Sequence, residues 1–153
     1  MPRSRRAVLP RLLALGAGVA ALTSAGCFNG PDPPDLFLVQ RTGSIADARL
    51  TLRISDDGGA YCNGGPRREI SSAQLIEARA LTHDLDGVKD GDNGLAGRNL
   101  RLAPGKVSSL TYRVRSEKGV VVFSDTSARQ PQAFYRIAQL TRSIAKGPCG
   151  LAR

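Results

Sequence analysis

Ala48-Arg49-Leu50-Thr51-Leu52-Arg53-Ile54 alternates apolar and polar side chains without a break, and Asp56-Asp57-Gly58-Gly59 follows it. Successive side chains of a strand point to opposite faces. The pattern therefore predicts a strand with one face in a core and the other in water, ended by a turn. Ala60-Tyr61-Cys62 predicts a short return strand, and Leu36-Phe37-Leu38-Val39 an earlier first one. After the loop Asn63-Gly64-Gly65-Pro66, Ser71 and Gln74 stand at capping-box spacing,. The helix they open carries Leu75, Ala78, Leu81 and Leu85 on one stripe, with Ile76 beside it, and ends near Asp86-Gly87.

The second half repeats the theme. A polar loop rich in Gly and Asp runs from Val88 to Val107, and Leu110, Tyr112 and Val114 then alternate with Thr111, Arg113 and Arg115. Ser116-Glu117-Lys118-Gly119 predicts a turn into Val120-Val121-Val122-Phe123. Pro131 suits the first position of a final helix with Phe134, Ile137, Leu140 or Thr141, and Ile144 on one face, stopped by Gly147-Pro148,. The expected fold is α+β, an antiparallel sheet of four to five strands with two helices on one face, in one domain over residues 36–153. Leu50–Gly58 and Leu110–Gly119 are similar enough to suggest a ββα duplication. The common demands of any half-buried hairpin are the other explanation.

The N-terminus follows different rules. MPRSRRAVLPR is basic, LLALGAGVAAL at positions 12–22 is apolar and uncharged, and small residues lead from there to Cys27. Eleven apolar residues fall short of the roughly 20 that a membrane-spanning helix needs, and the three-part pattern is that of a secretory signal. Ser24-Ala25-Gly26-Cys27 resembles the lipobox of bacterial lipoproteins, with Ser24 where that motif usually carries Leu. The resemblance implies a cleaved signal peptide over residues 1–26 and a diacylglyceryl anchor on Cys27. That would hold the protein at the extracytoplasmic face of the plasma membrane. Ser4-Arg5-Arg6-Ala7-Val8-Leu9 resembles the twin-arginine export motif, with Val8 in place of its usual Phe; the alternative is that Arg5 and Arg6 are simply signal charge for the general secretory route,. Residues 27–35, rich in Pro, Gly and Asp, form a tether that at ~3 Å per residue reaches some 25 Å.

Removing 26 of the 153 residues takes four arginines and no acid, so the mature chain has 18 basic and 13 acidic residues, a charge of +5 instead of +9. With Cys27 acylated, Cys62 and Cys149 remain as an even pair in an oxidising compartment. A bond between them would close a long loop, worth roughly 4 kcal/mol in the chain-entropy model.

Little catalytic chemistry is legible. His83 is the only histidine and falls off the core stripe of its helix. No Gly-x-Ser-x-Gly elbow, phosphate-binding loop or dinucleotide fingerprint occurs,. The acidic stretch Asp84, Asp86, Asp90, Asp92, Asn93 fails EF-hand spacing and is expected to be a solvated loop,. Only seven aromatics occur, with no interleaving of basic and aromatic residues suited to nucleic acid,. The expectation is therefore no catalytic residue, no metal, no cofactor and no nucleic-acid partner.

Tyr61-Cys62-Asn63-Gly64-Gly65, Phe123-Ser124-Asp125-Thr126-Ser127 and Cys149 give the domain a resemblance to small secreted proteins of high-GC Gram-positive bacteria, and no activity comes with it. The secreted subtilisin inhibitors of the same bacteria are similar in size and in α+β fold, but they carry two disulfides. The expected function is a non-catalytic envelope module that binds another protein or an anionic wall polymer through its positive charge. A protease inhibitor presenting Asn63–Arg68 is the alternative, and a small envelope enzyme the third.

Overall fold

The computed structural model describes residues 34–87 and 94–152. Arg5, Arg6, Ser24, Ala25, Gly26, Cys27 and most of the tether lie outside them. The elements are β1 (Asp35–Gly43), β2 (Leu50–Ser55), β3 (Gly59–Cys62), β4 (Arg67–Glu69), α1 (Ser72–Asp86), β5 (Leu110–Ser116), β6 (Gly119–Ser124) and α2 (Gln132–Lys146). The strands form one sheet in the order β4-β3-β2-β1-β5-β6, every neighbouring pair antiparallel.

The fold is α+β with two helices, but the sheet has six strands instead of four to five. The extra one is β4. Arg67-Arg68-Glu69 is polar and exposed throughout, so no apolar alternation announces it. It is held by pairing with β3 across Asn63-Gly64, both at positive φ, with Gly65 N donating to Cys62 O at 2.9 Å. That is the conformation an Asn-Gly hairpin turn demands. The first strand is also longer than Leu36–Val39, running from Asp35 to Gly43.

Alternation decides which face is covered. Val39 lies between Leu52 and Val114, and Phe37 pairs with Ile54; all five side chains are buried. Against this face pack Ala78, Leu81 and Leu85 of α1 and Phe134, Ile137, Leu140 and Ile144 of α2. Phe123 lies between Tyr112 and Phe134, its ring centroid 5.1 Å from the first and 4.4 Å from the second, and so fastens α2 to β5 and β6. The capping box forms as its spacing requires, Ser71 Oγ accepting from Gln74 N and Gln74 Oε1 from Ser71 N. Pro131 is the cap residue before α2, one position earlier than expected.

The strand order removes the ββα duplication. β2 and β5 both run antiparallel to β1 and so parallel to each other, yet β3 lies outside β2 on one side and β6 outside β5 on the other. Sliding β2 onto β5 with the helices kept on the same face would put the copy of β3 onto β1. Rotating to match β3 with β6 would send α1 to the uncovered face.

The stretch between the halves is more than a solvated loop. Leu95 N and Ala96 N donate to Asp84 O and Leu85 O, and Ala96 is fully buried. Arg101 then bridges Val122 in parallel, with Leu102 N donating to Val122 O at 2.8 Å. This covers part of the outer edge of β6, where unpaired backbone would otherwise invite another strand.

Candidate binding surface

Among the described residues, one side of the sheet has no helix over it. Its central rows place Gln40 between Thr51 and Arg113, Thr42 beside Thr111, and Leu38 between Arg53 and Arg115. Each of these residues sits one position out of phase with the buried set, so the alternation that built the core also built this polar face.

Its charge is unevenly distributed. Toward the Asp35 end, acids accompany the cations: Arg53 Nη1 meets Asp35 Oδ1 at 3.0 Å while its guanidinium lies 3.9 Å above the Tyr61 ring. Arg67 pairs with Asp57 at 3.3 Å and with Glu69 at 3.5 Å. Toward the Gly43 end, Gln40, Thr42, Arg49, Thr51, Thr111 and Arg113 line a shallow recess of about 360 Å³ that contains no acid. Among the described residues, neither Arg49 nor Arg113 forms an ion pair. Two guanidinium groups among three hydroxyls and an amide can neutralise an anion and hydrogen-bond its neighbouring hydroxyls.

The residues singled out by sequence are placed as follows. Cys62 and Cys149 are bonded, with Cα atoms 5.9 Å apart, which ties the end of α2 to β3. Arg67 is committed to Asp57 and Glu69, and Arg68 lies beside it on the edge strand. Asn63–Arg68 is a tight turn running into a strand, exposed at every position but Gly65. His83 is exposed. Asp84 is engaged with Arg136, whose Nε and Nη2 also grip Glu77 at 2.8 and 3.1 Å and so clasp α2 to α1. Asp86 is buried, and Asp90, Asp92 and Asn93 lie outside the described residues. Among the described residues no group of three or more His, Cys, Asp or Glu side chains is placed to hold a metal.

The two short motifs have structural roles. Asp125 accepts from Ser109 N, Leu110 N and Ser108 Oγ, closing the start of β5, while Ser124 and Ser127 bond each other in the interior. Sequence reasoning missed Arg41, which is 1% exposed. The signal was present, because Phe37, Val39 and Arg41 share the inward phase of β1.

Against known protein families, characterised proteins and solved structures, the chain gives no match.

Proposed function

We propose that this chain is a membrane-anchored lipoprotein on the extracytoplasmic face, and that its domain is a non-catalytic module binding an anionic wall polymer through the open face of the sheet. The observation that carries the binding reading is the acid-free recess around Arg49 and Arg113 on an uncovered, hydroxyl-rich face. A polymer of repeated charge and hydroxyl groups matches such a surface better than an apolar protein patch does. The lipid anchor rests on the N-terminal pattern ending at Cys27. A disulfide between Cys62 and Cys149 suits an oxidising compartment,. No helix among the described residues is long and apolar enough to cross a membrane.

Reach agrees with this partner. From Asp35 to Gln40, β1 advances roughly 17 Å at ~3.3 Å per residue, so the recess lies toward the end of the sheet away from the tether. Exposed ionic contacts are screened over about 8 Å at physiological salt. Binding of the full chain to isolated cell wall should therefore fall strongly from low to high salt. Arg49→Gln with Arg113→Gln should weaken it at low salt, while Arg67→Gln should change it little. Salt-independent binding, or binding untouched by the double substitution, would reject the open face as the contact.

A further inference from the structure

Behind the open face, on the helix side of β1, lies a second concentration of charge. Arg41 Nε donates to Ala48 O and Nη2 to Asp47 O, both at 2.9 Å, which holds the β1–β2 loop over the guanidinium. Arg142 and Lys146, four residues apart on α2, close over the same place. With Ile45 and Leu110 they complete a recess of about 240 Å³ around Arg41. Among the described residues no carboxylate lines it.

This convergence works against local stability. Like charges at i and i+4 destabilise a helix, and here a third cation is buried beneath them. Burial holds Arg41 below the ordinary guanidinium range; Arg142 pushes it the same way, while Tyr112 and Asp47 push against. Lys146 stands in the last turn of α2, where a cation offsets the carbonyl end of the helix,. Arg142 stands a turn earlier, where it donates to the buried Tyr112 hydroxyl, and Arg41 lies in the sheet, so the helix dipole accounts for neither. Among the described residues Arg142 and Lys146 form no ion pair. A local conflict of this kind, kept together by the fold, marks a functional site.

We propose that the recess formed by Arg41, Arg142 and Lys146 binds a phosphate group. The exposed cations offer only hydrogen-bond donors. Arg142 can present two parallel N–H groups to two phosphate oxygens, and Lys146 adds a compact point charge. Arg41 supplies fixed positive charge from below. Ile45 and Leu110 keep one side apolar, which strengthens the ionic contacts. The recess is smaller than the roughly 300–1,000 Å³ pockets of drug-sized ligands, so it takes the phosphate and leaves the rest of any ester outside. The site stands on the other face from the wall-polymer recess and does not rest on that reading.

The test titrates the purified full chain, in neutral detergent at constant ionic strength, with inorganic phosphate and separately with glycerol 1-phosphate, followed by calorimetry and phosphorus NMR. Saturable binding with one site per chain is expected. Arg142→Gln with Lys146→Gln should weaken it about tenfold or more, the loss expected when paired charge-assisted contacts go. Lys146→Gln alone, which leaves the contact of Arg142 with the buried Tyr112 hydroxyl in place, should weaken binding in the same direction, and the ligand-free melting temperature of each variant checks that it folds. Arg113→Gln should leave phosphate binding intact. Equal or tighter binding of glycerol 1-phosphate supports a phosphate ester as the natural ligand, and binding of inorganic phosphate alone supports the free ion. Absence of saturable binding by both probes, or a double variant that binds like the parent, overturns the site.

Discussion

Asp86 and Ser116 are joined by a hydrogen bond of 2.6 Å from the serine hydroxyl to the carboxylate, and Lys118 N donates to the same oxygen at 3.0 Å. Through this pair the last turn of α1 is tied to the β5–β6 turn, thirty residues away. Asp86 is only 7% exposed, so one member of the acidic stretch that sequence places in solvent lies inside the structure. A carboxylate at a helix C-terminus meets the unfavourable end of the dipole, and the two donors offset that.

Asp86→Ala would leave a half-buried hydroxyl and a backbone N–H without their acceptor. The expected loss is ~1–3 kcal/mol, read as a lower urea midpoint with an unchanged slope. Asp86→Asn keeps an acceptor oxygen and should cost less. If Asp86→Ala melts like the parent, the tie contributes nothing.

Asp57, in the β2–β3 turn, controls a pH dependence. The hydrogen bond from Ser55 Oγ, followed by those from Gly59 N and Arg67, holds its carboxyl below the usual carboxylate range. A carboxyl depressed by folding stabilises the native state above its unfolded value near 3.9, and that contribution is lost as pH falls through the lower folded value. Asp57→Asn should therefore destabilise the protein at neutral pH and flatten the fall in stability below about pH 4. Denaturation midpoints at several pH values check this. An unaltered acid slope would assign the acid sensitivity elsewhere.

The disulfide spans 87 positions of sequence, which makes its effect on the unfolded chain large. Cys62→Ser should cost about 2–5 kcal/mol, and alkylation without reductant should find neither Cys62 nor Cys149 free. Labelling of both thiols in folded protein would contradict the pairing.

For the anchor, Cys27→Ala should abolish incorporation of labelled fatty acid and block normal signal cleavage. Equal labelling of parent and variant would remove the lipoprotein reading. Replacing Arg5 and Arg6 by Lys should stop export only if the twin-arginine route is used, so export at the parent rate would identify the general secretory route.

A close backbone approach gives one more test. A methyl group on Gly94 would overlap the backbone of Leu85, Asp86 and Gly87. Gly94→Ala should therefore loosen the 94–102 segment from α1 and expose the edge of β6. Faster amide exchange at Leu102 and Val122 would report it, and protection equal to the parent would show that the segment adapts.

Local chemistry determined most of the elements. Leu50, Leu52 and Ile54 alternate because one side of β2 is buried, and Ser71 with Gln74 starts α1 because the first turn needs acceptors for its free N–H groups. The same alternation already marked Arg113 as facing away from the core. Reading Cys27 as acylated left Cys62 and Cys149 as the expected pair, and these two are bonded. Tertiary structure alone decided the rest, because pairing order and edge contacts are made between residues far apart in the chain. Arg67-Arg68-Glu69 is a strand only because β3 offers a free edge. The two hairpins flank β1 in an order that no repeat could produce. Arg49 meets Arg113 across β1, and Arg41 meets Arg142 and Lys146 across the sheet–helix boundary, about a hundred residues later in the chain. Periodicity reports which side of one element is buried; only the packed fold decides which exposed and buried charges share a recess.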